Sequence, residues 1–163
     1  MITDYIFPNI LQITSLLFLT NFIHNTWYKE YIYAWLFLLL TVTSTFIYSG
    51  IFKDSIENDI IYLDKTIVLM IAIYGGYLFK KAYLFKETSS IPIVTFLTTA
   101  YMYISGYFLN RYSFDPNISI ANFSHAMIHI IGCLGHHSII YEYGKLLRVR
   151  KFLLASILLH SYT

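Results

Sequence analysis

Long apolar runs, each about the length needed to cross a bilayer, alternate with short polar breaks along the whole chain. An apolar helix rises 1.5 Å per residue and needs about 20 residues to cross the hydrocarbon core. Five runs meet that length: Tyr5–Ile23, Tyr31–Ile51, Thr66–Leu84, Ile91–Leu109 and Ile118–Tyr141. Pro8, Asn9 and Gln12 make the start of the first run the least apolar. Lys80 and Lys81 interrupt the third, where their aliphatic stems can snorkel to the interface. Phe152–His160 is apolar but too short to cross. It is expected as a short amphipathic or re-entrant helix that lies in the interface or folds back on the bundle. A sixth span arises only if that tail dips into the membrane. No internal repeat and no Pro/Gly/Ser linker divides residues 1–163. The pattern therefore predicts one all-α domain, a polytopic transmembrane bundle of five spans.

Composition sharpens this picture. The chain is 57% hydrophobic, 12% charged and has a mean hydropathy of +0.58, whereas a soluble domain carries about 25% charged residues. The aromatic fraction of 19% suits membrane interfaces, where Tyr and Trp collect. A single cysteine excludes an internal disulfide and a thiolate zinc cluster. The net charge of +2, with no basic stripe, argues against a nucleic-acid partner. The expected partner is the bilayer itself. Met1 is followed by Asp4 rather than a basic segment, and no small-residue cleavage site follows the first run, so that run is expected to be a retained helix.

Five spans alternate the loops between two sides. Lys29, Lys80, Lys81, Lys86, Lys145, Arg148, Arg150 and Lys151 fall on one side, and Lys53, Lys65 and Arg111 on the other. Eight basic residues against three is a positive-inside bias that predicts an extracytoplasmic N-terminus and a cytosolic C-terminus. Asp4, Asp54, Glu57, Asp59, Asp64 and Asp115 gather on the basic-poor side.

The polar residues inside the spans carry the candidate chemistry, because ionisable groups are costly in hydrocarbon and mark functional sites. Asn117–Tyr141 contains no Asp, Glu, Lys or Arg, yet it holds His125, His129, Cys133, His136 and His137. His125 and His129 are one turn apart on one helix face, the spacing used by zinc-binding helices. Zinc usually takes four ligands with imidazole nitrogens at about 2.0–2.1 Å, so further ligands must come from another helix or from water. Cys133 is too far along the axis to share an ion with His125. On the span map, Asp64 stands at the outer mouth of the third span, and Ser44, Thr45 and Tyr48 lie in the outer half of the second. Three helices thus bring oxygen and imidazole groups to similar depth. The alternative role for the same residues is interhelical hydrogen bonding.

The segments TSTFIYSG (Thr43–Gly50), LDKTIV (Leu63–Val68) and SHAMIH (Ser124–His129) resemble the CREST superfamily. That group includes alkaline ceramidases, progestin and adipoQ receptors, and Per1-like and myomaker-like proteins. The resemblance implies zinc held by His125 and His129, with Asp64 acting near a zinc-bound water and Ser44 supporting developing charge, in a lipid amide or ester hydrolase. Two departures accompany it. The family's third histidine follows the serine by four residues, where Tyr48 stands here (Ser49 if the register starts at Thr45). The family also has seven spans, so the chain resembles a shortened member lacking one zinc histidine. If active it would be a zinc-dependent lipid hydrolase. The other expectation is a non-catalytic structural or partner-binding membrane protein whose histidines pack helices.

Elsewhere, His136 and His137 fall level with His24 at the far end of the first span. A second metal or haem site between them is conceivable, but interfacial hydrogen bonding is the expected role. Cys133 is expected to be a small packing residue, and Gly75, Gly76, Gly132 and Gly135 to permit close helix approach. Asn117 and Asn122 begin formal glycosylation sequons that abut or enter a span and are expected to stay unused.

Overall fold

A computed structural model of the chain describes residues 10–49, 55–84 and 89–160. Tyr5 at the start of the first predicted span, together with Asp4, Lys53, Asp54 and Lys86, lies outside the described residues. All regular structure among the described residues is helical: α1 (Leu17–Trp27), α2 (Tyr31–Ser49), α3 (Ser55–Tyr83), α4 (Ile91–Leu109), a 3₁₀ turn (Tyr112–Phe114) and α5 (Ile118–His160). Residues 10–15 are also helical and enter α1 through a turn at Leu16. Four segments are long and apolar enough to cross a membrane: Tyr31–Ser49, Asn58–Tyr83, Ile91–Phe114 and Ile118–Leu158.

Helix ends follow local chemistry. Pro92 sits in the first turn of α4, where its missing N–H costs no hydrogen bond. Asn110 ends α4 in the left-handed conformation, which lets the Arg111 N–H donate to the Gly106 carbonyl at 3.1 Å. Asn117 opens α5, its side-chain oxygen accepting the Ser119 N–H at 3.0 Å. This capping role accounts for the residue that begins the first sequon.

Two expectations change. α3 begins at Ser55, well before Thr66, so Asp64 lies more than two turns inside a helix and not at its mouth. The acidic residues before Asp64 do not delay the helix, because Glu and Asp are tolerated in a first helical turn. The tail Phe152–His160 is not a separate short helix. It continues α5, which runs unbroken for 43 residues. No proline or glycine lies between Lys145 and His160 to stop it. At 1.5 Å per residue α5 is about 65 Å long, roughly twice the hydrocarbon thickness.

The helices form a ring in which α1 packs on α2, α2 on α3, α3 on α5 and α5 back on α1. α4 stands outside the ring and packs on α5 and the 3₁₀ turn. The buried stripe of each ring helix keeps a 3–4 spacing: Leu11, Ser15, Phe18, Asn21 and Asn25 along the first helical stretch; Tyr33, Phe37, Leu40 and Ser44 on α2; Ile67, Ile71 and Leu78 on α3; Ala126, His129, Cys133, Ile140 and Tyr143 on α5. The outward faces are as apolar as the core. Val68, Leu69, Ile73, Phe96, Leu97, Ile104 and Phe108 are all exposed, the surface expected where lipid is the solvent. At one end of the ring the Tyr74 hydroxyl donates to Glu30 at 3.0 Å, and the Lys81 ammonium sits 4.2 Å from the Tyr77 ring centre.

Glycine places the closest approaches. A Cβ on Gly135 would run into the Thr95 side chain of α4, and one on Gly75 would meet the Tyr33 hydroxyl and His136. Gly76 and Gly132 have open space, so only half of the expected glycine contacts form. Gly135→Ala should therefore destabilise the protein by about 1–3 kcal/mol through overpacking against α4. Gly132→Ala should leave stability unchanged or raise it by up to about 1 kcal/mol. Equilibrium unfolding in bicelles reads both, and equal effects would remove the assigned α4–α5 contact.

Candidate functional site

The residues singled out in sequence come together in one cluster where α2, α3 and α5 meet. α2 presents Thr43, Ser44 and Tyr48; the Thr43 and Ser44 hydroxyls both donate to one oxygen of Asp64, at 2.6 and 2.7 Å. One turn farther along α2, the Tyr48 hydroxyl is 2.9 Å from His125 Nε2. Ser49 points elsewhere, donating to the Phe46 carbonyl at 2.7 Å. The register that starts at Ser44 is therefore the one that faces the histidines. Asp64 lies within Coulombic reach of both Tyr48 and His125. His125 and His129 stack edge to face, with ring centres 4.9 Å apart and planes at 85°.

His129 is buried and makes a contact that the sequence did not reveal: its Nδ1 is 3.1 Å from the Thr14 hydroxyl. Phe18 packs edge-on against the same imidazole at 5.1 Å. Thr14 lies in the run Tyr5–Ile23, and its only sequence signal is that it precedes Phe18 by four residues on the buried stripe.

The fit of this set to a zinc ion can be judged from its donors. Each imidazole already has a hydroxyl partner on another helix, Tyr48 for His125 and Thr14 for His129. Tyr48 occupies the place of a third imidazole and spends its hydroxyl on His125 Nε2. The Asp64 oxygen is taken by two hydroxyls. Among the described residues no group of three or more His, Cys, Asp or Glu side chains is arranged to hold a metal ion. The set as arranged falls short of the four-ligand norm for zinc.

A second polar cluster lies farther along α5, against α1 and α2. The adjacent residues His136 and His137 diverge because successive positions on a helix point about 100° apart. His136 turns to α2, where its Nδ1 hydrogen-bonds the buried Tyr33 hydroxyl and its ring packs edge-on against Phe37. His137 turns to α1, where its Nδ1 is 2.8 Å from His24 Nδ1 and its Nε2 is 2.8 Å from the Thr20 hydroxyl. The expected level placement of His24 with His137 is thus observed. Cys133 is buried, as expected for a packing residue, and its sulfur accepts from Asn21 Nδ2 at 2.9 Å. The Oδ1 atoms of Asn21 and Asn25 and the Oε2 atom of Glu142 are buried without a hydrogen-bond partner, although Glu142 Oε2 lies 3.5 Å from the Lys145 ammonium.

A shallow apolar groove lies beside these clusters. It is lined by Leu16, Thr41, Val42, Thr45 and Phe46 on the outer surface of the α1–α2 pair.

Comparison of the chain with protein-family models, with curated proteins and with solved structures finds no match. The functional conclusion therefore rests on the helices and their polar contacts, and at that level it is plain. With four helices long and apolar enough to span a bilayer and apolar side chains exposed on their outer faces, the chain is a multi-pass membrane protein.

Proposed function

We propose that this is a non-catalytic membrane protein, structural or partner-binding, in which His125, His129, Asp64 and Ser44 form an interhelical lock. One observation carries this: each group is already matched to a hydroxyl on another helix. Tyr48 of α2 meets His125, Thr14 of the first helical stretch meets His129, and Thr43 and Ser44 of α2 hold Asp64 of α3. Such bonds replace the hydrophobic driving force that lipid cannot supply between helices, at about 0.6 kcal/mol each and up to about 1.7. A hydrolase would need, beside a Lewis acid, an open coordination position and a carboxylate free to handle a proton. One oxygen of Asp64 is instead engaged by the Thr43 and Ser44 hydroxyls. The basic bias supports an extracytoplasmic N-terminus and a cytosolic C-terminus.

A double-mutant cycle of Tyr48→Phe with His125→Ala, read by unfolding in bicelles, should give a coupling of about 0.6–1.7 kcal/mol. Asp64→Asn should cost a similar amount, because the amide keeps one acceptor for the two hydroxyls. No activity on a lipid amide or ester should be present to be lost. Zinc content of the purified protein should be unchanged by His129→Ala. One equivalent of zinc released by that substitution, with hydrolysis abolished by Asp64→Asn, would instead establish a reduced zinc hydrolase of the kind the sequence resembles.

For orientation, an epitope at Thr163 should be accessible to protease only from the cytosolic side, and one near Glu57 only from the other. Digestion of Thr163 from outside would reverse the assigned topology.

A further inference from the structure

We infer that the end of the bundle where the α1–α2 turn meets α5 is a binding site for the headgroup of an anionic phospholipid. A hollow of about 100 Å³ opens there, with Trp27, Tyr28 and Lys29 on one side and Gly144, Arg148 and Lys151 of α5 on the other. Arg148 and Lys151 are three apart and share one helix face, while Lys29 arrives from the opposite wall. All three cations are exposed, and among the described residues none of them has an ion-pair partner. The nearest acids in sequence are engaged elsewhere. Glu30 accepts from the Tyr74 hydroxyl at 3.0 Å, and Glu142 is buried with Oε2 3.5 Å from the Lys145 ammonium. Like charges gathered around one hollow set up a positive potential that draws an anion.

Two local features hold the cations in place. Gly144 lets the α1–α2 turn reach α5: a Cβ there would run into the Tyr28 ring, which lies against the bare helix backbone. Lys29 sits at a φ of 63°, in the left-handed region where glycine is the ordinary residue. A lysine there holds a backbone conformation that disfavours a side chain, and outliers of this kind gather at ligand clamps.

Depth selects a lipid over a soluble anion. The apolar span of α2 opens at Tyr31, just after Lys29, so the hollow lies at the membrane surface. Trp27 is 82% exposed beside it, as an aromatic of the interfacial belt would be. Ile23, one turn deeper on the same face of α1, is also exposed and carries an apolar path from the hollow into the hydrocarbon, where acyl chains lie. The hollow is far smaller than the about 300–1,000 Å³ of a drug-sized pocket, which suits a single phosphate-bearing headgroup. Basic pockets between spans take such headgroups on the cytosolic side, and Lys29, Arg148 and Lys151 all belong to the basic-rich side of the chain.

The test is native mass spectrometry of the full-length protein released from detergent micelles that contain phosphatidylglycerol, phosphatidylcholine or inorganic phosphate. Wild type should retain one phosphatidylglycerol in preference to phosphatidylcholine, whose phosphate is balanced by its own ammonium, and should retain no inorganic phosphate. Arg148→Gln and Lys151→Gln should each weaken retention about fivefold, the contribution of one cation beside an anionic lipid. Lys29→Gly should do the same, and because glycine suits a φ of 63° that variant should stay folded. Arg150→Gln, which lies outside the hollow, should leave retention unchanged. Equal retention of phosphatidylcholine would overturn the inference. An equal loss in Arg150→Gln would also overturn it, as the mark of diffuse surface charge, and so would retention of inorganic phosphate as firm as that of the lipid. The His125–His129 lock stands or falls separately, because none of these variants touches it.

Discussion

In hydrocarbon, two helices gain nothing by hiding apolar side chains from a solvent that is equally apolar, so close packing and interhelical hydrogen bonds must hold a bundle together. Here that burden falls on α5. It packs on α1, α3, α4 and the 3₁₀ turn, reaches α2 through side-chain hydrogen bonds, and meets three of the helices by different devices. α1 is met by His137 and Cys133, α2 by His125 and His136, and α4 by the bare backbone of Gly135. Histidine suits such a post because one ring can donate on one side and accept on the other.

The same helix shows that sequence spacing places side chains on one face without choosing their partners. His125 and His129 share a face at i, i+4, yet each meets a different helix, through Tyr48 of α2 and Thr14 of the first helical stretch. His24 and His137 are far apart in sequence and carry no motif, yet their Nδ1 atoms lie 2.8 Å apart. The bonds of the ring nitrogens fix how each imidazole is turned, with Thr20 holding the other nitrogen of His137.

Much of the fold was legible in hydropathy because lipid demands long apolar helices and little else does. Tyr31 and Ile91 open helices where the apolar runs begin, and Leu109 closes one where the run ends. The convergence of Ser44, Tyr48, Asp64 and His125 was also legible, since counting turns along antiparallel spans fixes relative depth. Two boundaries were not. Hydropathy drops at Asn58, Asp59 and Asp64, but backbone hydrogen bonding does not, so α3 starts earlier than its apolar run. Lys145–Lys151 likewise marks where an apolar span ends without supplying anything that stops a helix. Thr14, Thr20, Thr43 and Tyr33 escaped notice because hydroxyl residues are common in this chain, and only their partners on other helices distinguish them.

Tyr48 shows how a single residue type changes what a cluster requires. Three imidazoles presenting lone pairs to one point repel unless a cation sits between them. A phenol in place of one imidazole supplies both a proton and an acceptor, so it can satisfy either tautomer of His125 with nothing in between. Its O–H to Nε2 distance of 2.9 Å leaves no room for an ion along that line. Asp64 follows the same logic: the Thr43 and Ser44 hydroxyls of the neighbouring helix both donate to a single oxygen of its side chain. The polar groups at this end of the bundle are thus partnered by hydroxyl side chains that the helices already carry. A histidine pair and a carboxylate can in this way link helices of a membrane bundle through hydroxyl partners.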